Sequence, residues 1–156
     1  MPGLASLGSI QLPPSGYEIL QAMSKGNLET VRLIYESLTR GDNDLMDLVG
    51  DGFKVDFSRR KVDPFVIDLD QETLDAIRPG LTEAWEAPPT WEPQELIDAG
   101  DKVFAFIRTR ARGKASGVEV DAYVANVWTF RDGRPIEFKY FGENRAEALK
   151  AAGLSE

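Results

Sequence analysis

The hydrophobic pattern of the chain changes period once, at Thr90, and that change restricts the fold more than any other feature. Before it, apolar residues recur at helical spacing; after it, they alternate with polar ones. The alternation predicts strands over Trp91–Asp98, Lys102–Arg112, Val118–Phe130 and Pro135–Phe141. Asp132-Gly133 joins the last two as a two-residue hairpin, a turn that needs positive φ at both central residues. Upstream, Asn27 is placed to cap a helix that ends at Gly41, with Leu28, Val31, Ile34 or Tyr35, and Leu38 on its apolar face. Asp42 caps a shorter helix carrying Leu45, Met46, Leu48 and Val49, and Phe53–Ser58 alternates as a strand. Arg59–Asp70 is irregular, and Gln71–Trp85 predicts a third helix that Pro79 should kink or divide. Asn144 caps a last short helix, Arg145–Ala152, stopped by Gly153. Helices followed by antiparallel strands define an α+β arrangement in which helices cover the sheet. Residues 1–22, rich in Gly, Pro and Ser, predict a loose arm ahead of a domain over 23–156.

Two residue types are missing, and their absence limits the chemistry. Zero cysteines exclude disulfides, thiolate nucleophiles and cysteine-ligated zinc. Zero histidines exclude Ser-His-Asp catalysis and every metal site that needs imidazole, so no metal is expected. Proton transfer falls to Asp, Glu, Tyr, Lys or water. Lys and Arg total 18 against 26 Asp and Glu, a net charge of −8, which opposes nucleic acid and anionic membrane surfaces as partners. The first fifteen residues hold no Lys or Arg and no unbroken apolar stretch, so a cytoplasmic protein is expected.

Four segments, in order, carry a resemblance. They are Asn27-Leu-Glu-Thr-Val-Arg-Leu-Ile-Tyr-Glu-Ser-Leu with Gly41-Asp42, Glu95-Leu-Ile-Asp-Ala-Gly-Asp-Lys-Val, Val127-Trp-Thr-Phe-Arg-Asp-Gly, and Glu147-Ala-Leu-Lys-Ala-Ala-Gly-Leu. Together they resemble SnoaL-like proteins of the NTF2-like superfamily, over Met23 to Leu154. The resemblance implies a cystatin-like cone, a strongly curved antiparallel sheet wrapped around about three N-terminal helices. It also implies a pocket at the wide end and a homodimer through the sheet. Ketosteroid isomerases of this superfamily use an Asp base with a Tyr and a protonated Asp as hydrogen-bond donors. The matching positions here are Phe57 for the base, Asn126 for the acid and Ile34 for the tyrosine, with Tyr35 next to it, turned by about 100°. Phe cannot take a proton and Ile cannot donate one, so that catalytic set is not retained. The Asp-Arg-Asp set of epoxide hydrolases also fails, because no Asp lies two residues from Arg108, Arg110 or Arg112 on their strand.

The expected pocket is lined by Tyr35, Val55, Phe57, Trp85, Asn126, Trp128, Phe138 and Tyr140, a mostly apolar wall with few polar atoms. The leading expectation is a cofactor-independent domain that binds a small apolar metabolite, with any catalysis limited to polarisation by Asn126, Tyr140 or a held water. A second reading is an isomerase, cyclase or dehydratase using a carboxylate such as Asp56, which alternation points outward and a bulge would turn inward. Glu92 and Glu95 are further carboxylate candidates. A third reading is a non-catalytic dimeric scaffold. On the opposite face, Arg108, Arg110 and Arg112 are expected to lie across from Tyr123, Asp121 and Glu119, and Phe104 and Phe106 to meet a second copy.

Overall fold

Asp132 (φ 53) and Gly133 (φ 79) form the expected tight turn, and the sheet is assembled outward from the hairpin that they close. The structure, a computed structural model, describes residues 16–42 and 44–155, with side chains for 26–42, 44–79 and 83–155. In chain order the elements are α1 (Gly16–Arg40), α2 (Leu45–Leu48), β1 (Lys54–Asp56), β2 (Val66–Asp68), α3 (Gln71–Glu83), β3 (Thr90–Asp98), β4 (Lys102–Arg112), β5 (Glu119–Arg131), β6 (Arg134–Gly142) and α4 (Arg145–Ala151). The sheet order is β2-β1-β6-β5-β4-β3. Register shifts at Pro93/Glu95, Ala125/Asn126 and Thr129/Phe130 mark bulges, which bend a sheet around what it covers. No described helix is long and apolar enough to cross a membrane.

The α+β order holds, and several local expectations change. The sheet is mixed, because β1 pairs with β6 in parallel while every other neighbouring pair is antiparallel. No hairpin joins β1 to β6, so nothing local forces opposite directions on them. Helix α1 begins at Gly16, which makes Asn27 an interior, buried residue rather than a cap, and gives the last part of the expected arm, from Gly16, a helical conformation. The arm's residues 1–15 lie outside the described residues. The irregular stretch contains β2, and α3 continues through Pro79 to Glu83 and stops short of Trp85.

Each face of the sheet has its own apolar layer. On the inner face Val31, Ile34 and Tyr35 of α1 pack with Val103, Ala105, Ile107 and Trp128. On the outer face Phe104, Ala125, Val127 and Phe141 lie beneath Ala148, Leu149 and Ala152 at the C-terminal helix. Residues Val124–Trp128 of β5 are therefore buried on both sides. This corrects the expected role of Phe104. It is 0% exposed, covered by its own chain's α4, and cannot meet a second copy. Arg145 closes that layer, its guanidinium 5.1 Å from the rings of both Phe104 and half-buried Phe106 and its Nη2 2.8 Å from Glu95.

The β4–β5 register places Arg108, Arg110 and Arg112 across from Tyr123, Asp121 and Glu119, as read from the sequence. The ionic bonds run partly on the diagonal. Arg108 grips both oxygens of Asp121 at 2.9 and 2.8 Å, Arg110 holds Glu92 at 2.8 Å, and Arg112 holds Glu119 at 2.9 Å. These are surface pairs, screened by solvent, and they contribute little to stability.

The cap of α4 gives a direct test of how much that helix contributes. The Asn144 side chain accepts a hydrogen bond from the Glu147 backbone N–H at 3.0 Å. Asn144→Ala is expected to lose about 1 kcal/mol in urea denaturation. An unchanged midpoint would mean that burial of Phe104 holds α4 in place without its cap.

Candidate functional site

A buried polar group on the inner face is built from α1 and β5. Alternation along β5 sends Asn126 and Trp128 inward, and both are buried. The Tyr35 hydroxyl reaches them from α1. It accepts hydrogen bonds from Asn126 Nδ2 at 3.0 Å and from Trp128 Nε1 at 2.9 Å. Ile34 and Tyr35 are both buried, since a helix enclosed by a bent sheet is covered over a wide arc, but Tyr35 is the residue that faces Asn126. Burial pushes the Tyr35 pKa well above the ordinary tyrosine value, and the bonds from Trp128 and Asn126 only partly oppose that rise. Tyr35 is a neutral hydroxyl at physiological pH.

A hydrogen count shows that this group is incomplete. Trp128 brings one N–H, Asn126 two and Tyr35 one O–H. With the Asn126 amide nitrogen towards Tyr35, two of these four hydrogens are bonded within the group, the Tyr35 proton is left over, and the buried Asn126 Oδ1 has no partner among the described residues. Exchanging the amide oxygen and nitrogen lets Tyr35 donate to Asn126, but leaves both amide hydrogens without a partner in the group. Either orientation leaves two buried donor hydrogens without a partner in the group.

Aromatic rings surround the group and continue to the surface. The Trp128 ring meets Tyr35 edge-on at 5.6 Å, Phe53 in a stack at 6.0 Å and Phe138 edge-on at 4.8 Å. Phe57 then contacts Phe138 at 5.4 Å, Tyr140 at 5.1 Å and Phe65 at 5.1 Å. Tyr140 folds back over Gly142 (φ +61), where an added Cβ would stand 3.4 Å from its hydroxyl.

The structure thus brings together Tyr35, Phe57, Asn126, Trp128, Phe138 and Tyr140, with half-buried Val55 packed on the same core. Trp85 stands elsewhere. Its backbone bridges to Gly113, eight residues along from Ala105, the cross-strand partner of Asn126, or roughly 26 Å of strand. Phe53 and Phe65 belong to the wall although they were not among the expected lining residues. The parity shared by Phe53, Val55 and Phe57 was a signal for the first; Phe65, in a stretch without periodicity, had none.

The carboxylate candidates lie on the other face. Asp56 sits 3.9 Å from Lys139, which packs over Phe141 of the outer layer, and it accepts from the Ser58 backbone N–H at 2.9 Å. Partial burial works against its ionisation, but the Ser58 bonds and the charges of Lys139 and Arg59 together hold its pKa below the ordinary carboxylate value. Glu92 and Glu95 are engaged by Arg110 and Arg145. A hollow lined by Leu33, Arg40, Asp44, Asp47 and Leu48, and another by Lys54, Thr129, Arg131, Ile136 and Glu137 among others, include none of the ring residues.

Comparison with solved structures recovers the same fold. Bal32a, from a soil-derived mobile gene cassette, superposes with a TM-score of 0.67 at 19% identity, covering 79% of this chain and 93% of that one. An NTF2-like protein from Burkholderia thailandensis gives 0.65 at 21%, covering 79% and 96%. TerC, co-crystallised with polyporic acid, gives 0.62 at 15%, covering 80% and 98%. At these identities the likeness speaks for the fold alone, an NTF2-like one. No curated protein sequence matches the chain. The pattern of the SnoaL-like domain matches residues 19–138, well over half of the chain, and the protein belongs to that family.

Proposed function

We propose that this SnoaL-like domain binds a small, mainly apolar molecule inside the sheet's concave face, with one carbonyl or hydroxyl group held by Tyr35 and Asn126. The observation that carries this reading is the pair of buried donor hydrogens, together with the partnerless Asn126 Oδ1, in an otherwise aromatic interior. A ligand carbonyl would accept from the free donors, and a ligand hydroxyl would donate to Asn126. In surroundings of low dielectric such donors polarise a carbonyl strongly, and that is the extent of the chemistry the group supports. Phe57 occupies the position where ketosteroid isomerases place their base, and the ionised Asp56 faces Lys139 on the other side of the sheet.

The test is a binding screen by thermal shift and calorimetry, using steroid-like, polyketide-like and terpenoid-like compounds in matched carbonyl and deoxo forms. The carbonyl form is expected to bind at least about tenfold more tightly, the usual worth of one hydrogen bond to an otherwise unpaired buried donor. Asn126→Leu should reduce that preference, leaving only the Tyr35 hydroxyl as donor, without lowering the melting temperature. If no compound shifts the protein and Asn126→Leu simply raises its stability, the interior is filled and the proposal fails.

A further inference from the structure

The row of rings that begins at Tyr35 ends in the β1–β2 connection, and its outermost ring carries a cation. Phe65 is 36% exposed and meets Phe57 at a tilt, and the Arg60 guanidinium stands 5.9 Å over the Phe65 ring. Backbone bonds tie this connection down. Arg60 N–H donates to the Phe57 carbonyl at 3.0 Å, and Phe57 N–H to the Phe65 carbonyl at 2.8 Å.

Most arginines of the protein are held by carboxylates, and Arg60 is among the few described ones that are not. The three arginines of β4, with Arg32, Arg40, Arg59 and Arg145, each hold a carboxylate. Arg60 forms no ion pair among the described residues, although the chain carries 26 acidic residues and a net charge of −8. Asp63, in the same connection, forms none with it. Lys61 and the 67% exposed Val62 follow directly, so the rim is both cationic and apolar.

An exposed guanidinium that stands over a ring and is free of carboxylates is suited to bidentate capture of a carboxylate. The adjoining rings suit the flat, apolar remainder of the same molecule. We infer that the ligand is an aromatic or polycyclic acid, its ring system lying along Phe57, Phe65 and Tyr140 and its carboxylate on Arg60 at the rim. This rests on the reading that the interior binds a small apolar molecule, and it adds the ligand's charge and its direction.

Calorimetric titration with 2-naphthoate and the uncharged 2-naphthamide tests it. Wild-type protein is expected to bind the acid at least about tenfold more tightly than the amide. Raising the salt from about 0.05 M to about 0.5 M should weaken acid binding only, as screening of an exposed charge requires. Arg60→Gln, an exposed change whose melting temperature checks that the fold is kept, should bring the acid down to the amide's affinity and leave the amide unchanged. Equal binding of acid and amide by wild-type protein, or an acid preference that survives Arg60→Gln, overturns the inference. If the amide binds, responds to Asn126→Leu and the acid gains nothing, the interior site stands and the rim anion site falls. If neither compound binds, the rim inference falls, and the interior reading is decided by the screen of steroid-like, polyketide-like and terpenoid-like compounds.

Discussion

Trp128→Ala is expected to be among the most damaging single truncations in this protein, losing about 3–5 kcal/mol of stability and roughly 6–20 °C of melting temperature. Trp128 is 3% exposed and its ring touches Tyr35, Phe53 and Phe138. Truncation opens a cavity among rings that are held from three separate segments of the chain, so the neighbours have little freedom to collapse into it. It also removes one of the two donors to the Tyr35 hydroxyl. Trp128→Phe separates the two effects, because it refills most of the volume and removes only the N–H; about 1–3 kcal/mol should be lost. Urea denaturation of both variants measures the difference. A loss under about 1 kcal/mol for Trp128→Ala would mean that the neighbouring rings move in to fill the space it leaves.

The parts of the fold that were legible in the sequence are those written in local period. The limits of β4 agree with its alternation, and the arginine register followed from the short return after Arg112. The ionic bonds lean onto the diagonal because a guanidinium has reach enough to choose among carboxylates on the two flanking strands. Strand β2 was not legible, since three residues after Pro64 are too few for alternation to declare itself. The position of α4 was not legible either. Ala148, Leu149 and Ala152 mark an apolar stripe, but a stripe does not say which sheet face it will cover, and the answer decided the fate of Phe104. Within the site, parity put Asn126 and Trp128 together. Their link to Tyr35 was hidden, because one residue along a helix turns the side chain by about 100° and only the docking of α1 against β5 decides between Ile34 and Tyr35.

Above pH 10 the wild-type protein should lose stability that Tyr35→Phe retains. Burial raises the Tyr35 pKa in the folded chain, whereas the unfolded chain exposes the same hydroxyl to water, where it titrates near 10. Below pH 10 both states hold the proton and the group adds no pH dependence. Above it, the unfolded chain releases a proton that the folded chain keeps, so unfolding is favoured by about 1.4 kcal/mol for each further pH unit until the folded-state value is reached. Between pH 10 and 12 this group alone should remove about 2–3 kcal/mol. Tyr35→Phe begins lower at neutral pH, because Asn126 and Trp128 lose their acceptor and are buried unpaired. Every other titrating group is common to the two proteins, so only the Tyr35 contribution differs between their profiles. The stability gap between the two should therefore narrow with rising pH, as measured by urea denaturation at pH 8, 10 and 12. Parallel profiles would mean that the Tyr35 hydroxyl ionises in the folded chain, and hence that water already reaches the group proposed to hold the ligand.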